Sequence, residues 1–152
     1  NQDMQFHINL QKDYDSSIGT IEAVAGDLIR AFINLADNAC YALHSKFKKY
    51  KSENLANFSP TLSVQTRNLG DRLQINFRDN GIGIPQDAHR YIFDAFRQVD
   101  QSSTREYGGT GLGLTIVQKL TDALSGDIHL TSAPNEGSTF TITIPMHIPH
   151  TD

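Results

Sequence analysis

The stretch YGGTGLGL at residues 107–114 places glycine at 108, 109, 111 and 113, and a helical apolar pattern, LTIVQKLTDALSG, opens where the glycines end. Glycine lets backbone N–H groups approach an anion without interference from a β-carbon, and a helix start offers free donors beside a partial positive charge. Phosphate binding is one reading of the stretch; a hinge and close helix–strand packing are the others. A P-loop has G-x-x-x-x-G-K-[ST], but Leu114 and Thr115 stand where the lysine and hydroxyl belong. A Rossmann fingerprint has G-x-G-x-x-G directly after a strand, whereas here the spacing is G-x-G-x-G after a polar loop.

Upstream of the glycines, VDQSSTREYGGTG is long enough and polar enough to point to function. Residues 86–96 before it have helical spacing through Ile92, Phe93 and Phe96. TLSVQTRNL and DRLQINFRD alternate apolar and polar residues around Gly70, which predicts a hairpin. A long helix is expected from Leu28 through Phe32, Leu35, Ala39 and Leu43, with Asp27 as N-cap. Lys46, Lys48, Lys49 and Lys51 at its far end read as a solvated terminus whose cations suit the helix dipole. MQFHINL and TIEAV, before that helix, read as strands. The second helix closes at Gly126 as C-cap, and DIHLTSAP and STFTITIPM follow as two strands around a turn. Strand, helix, hairpin, short helix, loop, helix, hairpin is the order of a two-layer α/β sandwich.

The 152 residues fit a single domain, 1–152. A hydrophobic fraction of 38% and a net charge of -4 exclude a disordered chain and a general affinity for nucleic acid. One cysteine, Cys40, excludes a disulfide framework and favours a reducing, cytoplasmic compartment. No apolar run spans a bilayer, so no direct membrane contact is expected, although the domain is compatible with being the cytoplasmic part of a membrane-bound sensor.

Two segments carry further chemistry. Asn34 and Asn38 share one face of an otherwise apolar, helix-favouring pattern. An amide oxygen can ligate Mg²⁺ beside phosphate oxygens, and a pair of amides hydrogen-bonded in the core is the other reading. In DNGIGIP, residues 79–85, Asp79 can accept from an exocyclic amine such as that of adenine, while Gly81 and Gly83 let a flat ring lie close to the backbone.

In order, NLADNA (34–39), DNGIGIP (79–85), IFDAF (92–96), GGTGLGL (108–114) and EGSTFTITIP (136–145) resemble the N, G1, F, G2 and G3 boxes of the catalytic and ATP-binding domain of sensor histidine kinases. That family lies in the superfamily of gyrase-type and heat-shock chaperone ATPases. The resemblance covers residues 27–145, leaving 146–152 as a tail. It implies a Bergerat-type fold, a mixed, mostly antiparallel sheet covered on one face by about three helices, with an ATP lid at 97–110. The cofactors implied are ATP and Mg²⁺, and the activity is phosphoryl transfer to a histidine. Carried over, Asn38 holds Mg²⁺ with Asn34 on the phosphate side, and Asp79 reads the adenine amine above Gly81 and Gly83. Phe93 and Phe96 anchor the lid, and Gly109, Thr110, Gly111, Leu112 and Gly113 approach the phosphates. Thr139 sits near the adenine-contacting carboxylate.

Hydrolytic relatives carry glutamate where this chain has Asn34; an amide cannot deprotonate water, which favours a kinase. Tyr41 and Ala42 replace a lysine and an aromatic residue of many family members, which leaves Arg105, and more weakly Arg97, as the cation for the phosphates. None of the six histidines has an acceptor-like context, so the partners implied are a separate dimerisation and phosphoacceptor helical domain and a downstream response regulator, the domain itself being monomeric. An interaction module of pseudokinase type and a gyrase-type ATPase are the alternatives on the same fold. The Lys-rich extension with FSPTLSV resembles one kinase subgroup and FRQVDQSSTREYGGTGLGL another, the pattern of a chimeric or engineered chain.

Overall fold

The computed structural model describes residues 5–54, 57–94 and 113–147. Among the described residues five strands form one sheet: β1 (Asn9–Asp13), β2 (Thr61–Asn68), β3 (Arg72–Asp79), β4 (Asp127–Ala133) and β5 (Gly137–Pro145), in the order β1-β2-β3-β5-β4. β1 runs parallel to β2, and the other neighbours are antiparallel. Among the described residues two α-helices, α1 (Ala25–Ser52) and α2 (Gly113–Ala123), cover one face. This is the two-layer α/β sandwich that the hydrophobic patterns predict, with the mixed, mostly antiparallel sheet that the resemblance implies.

Strand alternation explains why one layer of helices suffices. Leu73, Ile75 and Phe77 of β3 and Phe140, Ile142 and Ile144 of β5 are buried toward the helices, among Leu35, Leu43 and Val117. The opposite parity carries Gln74, Asn76 and Arg78 on β3 and Thr139, Thr141 and Thr143 on β5, so the other face is polar and stays in water. Its residues bond across strands, as Thr141 Oγ1 does to Asn76 Oδ1 at 2.6 Å.

Several local expectations differ from the structure. The first strand is not MQFHINL but the polar edge Asn9–Asp13. Phe6 instead packs on α1, its ring 4.9 Å from that of His44 and 5.3 Å from that of Phe47. TIEAV forms no strand, and Glu22 N–H donates to Met146 O at 2.8 Å as the chain crosses the end of the sheet. The N-cap of α1 is Val24, which leaves Asp27 in the first turn, where its charge still suits the helix dipole.

Residues 86–94 form the 3-10 turn Gln86–Ala88 and further turns rather than a third α-helix. The bonds from Ala88, His89, Tyr91 and Asp94 N–H each reach back three residues. Over so short a stretch, that geometry buries Ala88 and Ile92 with nearly the same spacing as an α-helix would.

At the end of α2 the left-handed residue is Ser125, with φ 61°, and Gly126 N–H closes on Thr121 O at 2.9 Å. Glycine is required at 126 for space, because a β-carbon would run into Thr143 O of the neighbouring strand. The hairpin at Gly70 forms as predicted, with φ 100° and its N–H bonded to Asn68 Oδ1.

Candidate functional site

Asn34, Asn38 and Ala42 follow one another at single-turn spacing along α1, spanning about 12 Å at 1.5 Å rise per residue. Asn34 Nδ2 donates to Arg30 O at 2.8 Å, which commits its nitrogen to the helix and leaves Oδ1 outward. A β-carbon on Gly113 would stand 3.3 Å from that oxygen, so Asn34 meets the first turn of α2. The N–H groups at the start of a helix form a positive pole. Asn38 is half-buried, and its amide makes no hydrogen bond with the described residues. Among the described residues, therefore, Asn34 bonds within its own helix and the side-chain amide of Asn38 has no bonded partner.

At the other end of this line, Gly81 rests on Ala42: a β-carbon there would lie 2.7 Å from Ala42 C and 2.8 Å from Ala42 O. Ile82 N–H adds a bond to Ala42 O at 3.3 Å. Gly83, with φ 75°, closes against Ala133 O, where any side chain would collide. The loop after β3 is thus held between α1 and the end of β4.

Asp79 ends β3 on the helix-facing side and is only 3% exposed. Its Oδ1 accepts from Gly81 N–H at 2.8 Å. Burial pushes its carboxyl up to about 6, while bonds from the backbone of Gly81 and Ser138 and the charge of Lys46 pull the other way. Nearby Cys40 is held protonated: burial first, then Asp37 and Asp79, push its thiol up.

The residue beside Asp79 is Ser138, not Thr139. Ser138 is the cross-strand partner of Asp79 and is buried, whereas Thr139 pairs with Arg78 on the open face of the sheet. Parity carries that correction in the sequence itself, since Ser138 alternates in phase with Phe140, Ile142 and Ile144. Ser138 Oγ lies 2.8 Å from Ser132 Oγ, which also accepts from Ile84 N–H.

Phe93 places its ring edge-on to Phe140 at 6.4 Å, and its carbonyl accepts from Thr115 Oγ1 at 2.7 Å. The segment preceding the glycine loop is thereby tied to the first turn of α2. Phe96, Arg97, Arg105, Gly109, Thr110, Gly111 and Leu112 lie outside the described residues.

Lys46 was expected on a solvated helix end and is instead buried, with Nζ donating to Asn80 O at 3.0 Å and to Asn135 O at 2.9 Å. Its place four residues beyond Ala42, on the same face as Asn34 and Asn38, is the signal that the lysine-rich composition masked. Lys48, Lys49 and Lys51 are exposed as expected.

A family model described as histidine kinase-, DNA gyrase B-, and HSP90-like ATPase matches residues 23–148. The chain belongs to this family. Sensor histidine kinase RcsC of Escherichia coli (strain K12) is 35% identical over 127 residues, covering 84% of this chain and 11% of the relative. Signal transduction histidine-protein kinase BarA of the same strain is 52% identical over 69 residues, 45% of this chain and 8% of the relative. The chain thus spans about a tenth of the length of these curated relatives. Among solved structures, full-length ShkA in complex with AMPPNP is 25% identical with TM-score 0.71, covering 95% of this chain and 27% of that one. The catalytic domain of histidine kinase ThkA, at 23% identity and TM-score 0.71, covers 92% and 81% and shares the fold. The domain is therefore an ATP-binding catalytic domain of the kind found in sensor histidine kinases.

Proposed function

We propose that this domain binds ATP with Mg²⁺ and directs the terminal phosphoryl group to a histidine on a separate helical domain, from which a response regulator receives it. The observation that carries the reading is the line on α1 from Asn34 to Ala42. It runs from the positive pole of α2 to a buried carboxylate, with an amide between them that has no partner among the described residues. The residues fit the nucleotide: Gly113 keeps the phosphate end open, Asn38 offers a hard cation an oxygen that no described residue engages, and Asp79 offers an acceptor to an exocyclic amine.

ATP supplies the transferred group, and Mg²⁺ neutralises charge on its phosphates. The chain's own part is positioning. Asn38 holds the metal and Asn34 orients the phosphates without acting as a base. Asp79 fixes the base, with Ser138 behind it. Phe93 and Phe96 anchor the loop of residues 97–110, in which Arg105 faces the phosphates and the glycines from Gly109 to Gly113 give them room. In this reading residues 1–152 form one monomeric domain on the cytoplasmic side, where ATP is available.

The test supplies the acceptor. With γ-labelled ATP, Mg²⁺ and the dimerisation domain of a sensor kinase, label is expected on an acceptor histidine as an acid-labile phosphoramidate. Label that appears only as free phosphate, at a rate indifferent to the acceptor, would instead favour hydrolysis of the gyrase type.

Asn38→Ala separates the site from the fold. Because the amide has no partner to lose among the described residues, unfolding free energy is expected to stay within about 0.5 kcal/mol of wild type. The Mg²⁺-dependent part of ATP affinity, measured by calorimetry with and without the metal, should disappear. A variant that keeps its metal dependence would remove Asn38 from the site.

A further inference from the structure

A buried ammonium group is unusual at the end of a surface helix, and Lys46 is only 7% exposed. Its two hydrogen bonds go to the carbonyls of Asn80, directly after Asp79, and Asn135, in the turn between β4 and β5. Aromatic rings close over it, with Nζ 4.7 Å from the centroid of Phe58 and 5.6 Å from that of Tyr50. Phe58 and Tyr50 themselves meet at 5.3 Å, with their rings tilted 45°. Asn80 is held from its side chain as well, through Oδ1 to Thr61 N–H and Nδ2 to Ser59 O.

We propose that Lys46 is a positioning residue for the purine base: by joining the Asp79 loop to the β4–β5 turn it fixes the acceptor that reads the exocyclic amine. The proposal rests on the nucleotide reading above. Lys46 does not touch the nucleotide in this account; it acts through Asp79.

A lysine that merely filled space would leave Asp79 unaffected. Here the positive charge favours the carboxylate against the burial that opposes it. Among the described residues the other titratable group bearing on Asp79 is Cys40, also on α1 and held neutral. β5 contributes the backbone N–H of Ser138, and the β4–β5 turn contributes its backbone to the tether. Loss of the Lys46 charge therefore moves the titration of Asp79 upward.

Two variants keep the proposal testable if one folds poorly. Lys46→Met removes both tether and charge. Lys46→Gln removes the charge but keeps a donor for one of the two carbonyls. In the ligand-free protein, carboxyl NMR should place the Asp79 midpoint at about 6 in wild type and higher in both variants. At neutral pH, ATP affinity should fall roughly tenfold in Lys46→Met, the loss expected when a charge-assisted hydrogen bond is misplaced. Affinity for a purine triphosphate lacking the exocyclic amine should change by less than about twofold, since it makes no such bond.

An unmoved Asp79 midpoint, or equal losses for the two nucleotides, overturns the proposal. Wild-type protein that binds neither nucleotide overturns the functional reading instead, and the carboxyl titration still decides whether Lys46 governs Asp79.

Discussion

Asp79→Asn is expected to make the protein more stable above pH 7 while weakening its hold on ATP. The carboxyl is raised to about 6 because burial opposes its charge. Relative to an unfolded value of roughly 3.9, a shift of about two units corresponds to on the order of 3 kcal/mol of differential interaction.

The sign follows from linkage. Below the unfolded value, both folded and unfolded states carry the proton, and burial costs nothing through this group. As pH rises from about 4 to about 6, the unfolded chain ionises first and folding stability falls; above 6 the penalty is complete. The isosteric amide never ionises, but it gives up one acceptor for a backbone N–H, which costs about 1 kcal/mol. The net gain is therefore roughly 1–2 kcal/mol at pH 7.5 and is gone by pH 4.

Affinity should move the other way. A hydrogen bond to a charged acceptor contributes about 1.5–3 kcal/mol, so ATP binding is expected to weaken roughly 10- to 100-fold at pH 7.5. Urea unfolding at pH 4.5 and 7.5, paired with calorimetric ATP titration, checks both halves. Greater stability with unchanged affinity would reduce Asp79 to a buried polar group and place the base elsewhere.

Gly137→Ala is expected to be the most damaging single-methyl change among the described glycines. At φ 96° the residue adopts backbone that L side chains rarely take, and a β-carbon would be driven into Asp79 O, with Asn80 Cα only 2.7 Å away. Neither neighbour can yield, because both are main chain in paired structure that Lys46 and Asn80 already hold. Backbone strain and overpacking together are expected to cost about 3–5 kcal/mol.

Gly26→Ala is the control. It lies in the first turn of α1 with nothing within 4 Å of a β-carbon, and it should gain about 0.5–1 kcal/mol from helix propensity. Denaturant midpoints of the two variants compare the outcomes directly. A loss below about 1 kcal/mol at Gly137 would mean that the junction of β3 and β5 is looser than its geometry implies. Surviving folded protein should also bind ATP less well, since the displaced atom belongs to Asp79 itself.

Much of this was legible from residue order. The hairpin around Gly70, the long helix carrying Asn34 and Asn38, and the two closing strands each have a periodicity that only one element satisfies. Short apolar segments were not legible in the same way. Phe6 and Ile8 alternate as a strand would, yet Phe6 packs on α1 and both serve as cover for the core, because a pair of apolar residues does not specify what will lie opposite them. Residues 86–94 satisfy helical spacing over too few turns to separate it from a run of turns bonded three residues back.

The amino-acid sequence determined the elements, their amphipathic faces and the identity of the polar residues placed where apolar ones would fold better, Asn34, Asn38 and Asp79 among them. Those features are local, set by backbone periodicity and side-chain chemistry within a few residues. Tertiary packing decided which neighbours complete them. Ser138 rather than Thr139 stands behind Asp79 because β3 pairs with β5 in that register. Lys46 left its solvated end for two carbonyls because strands distant in sequence brought Asn80 and Asn135 to it. Gly81, Gly83 and Gly137 are glycines for want of space against partners up to 58 residues away in sequence, as Gly137 is from Asp79. Burial, and with it the raised carboxyl of Asp79, exists only once those layers have closed.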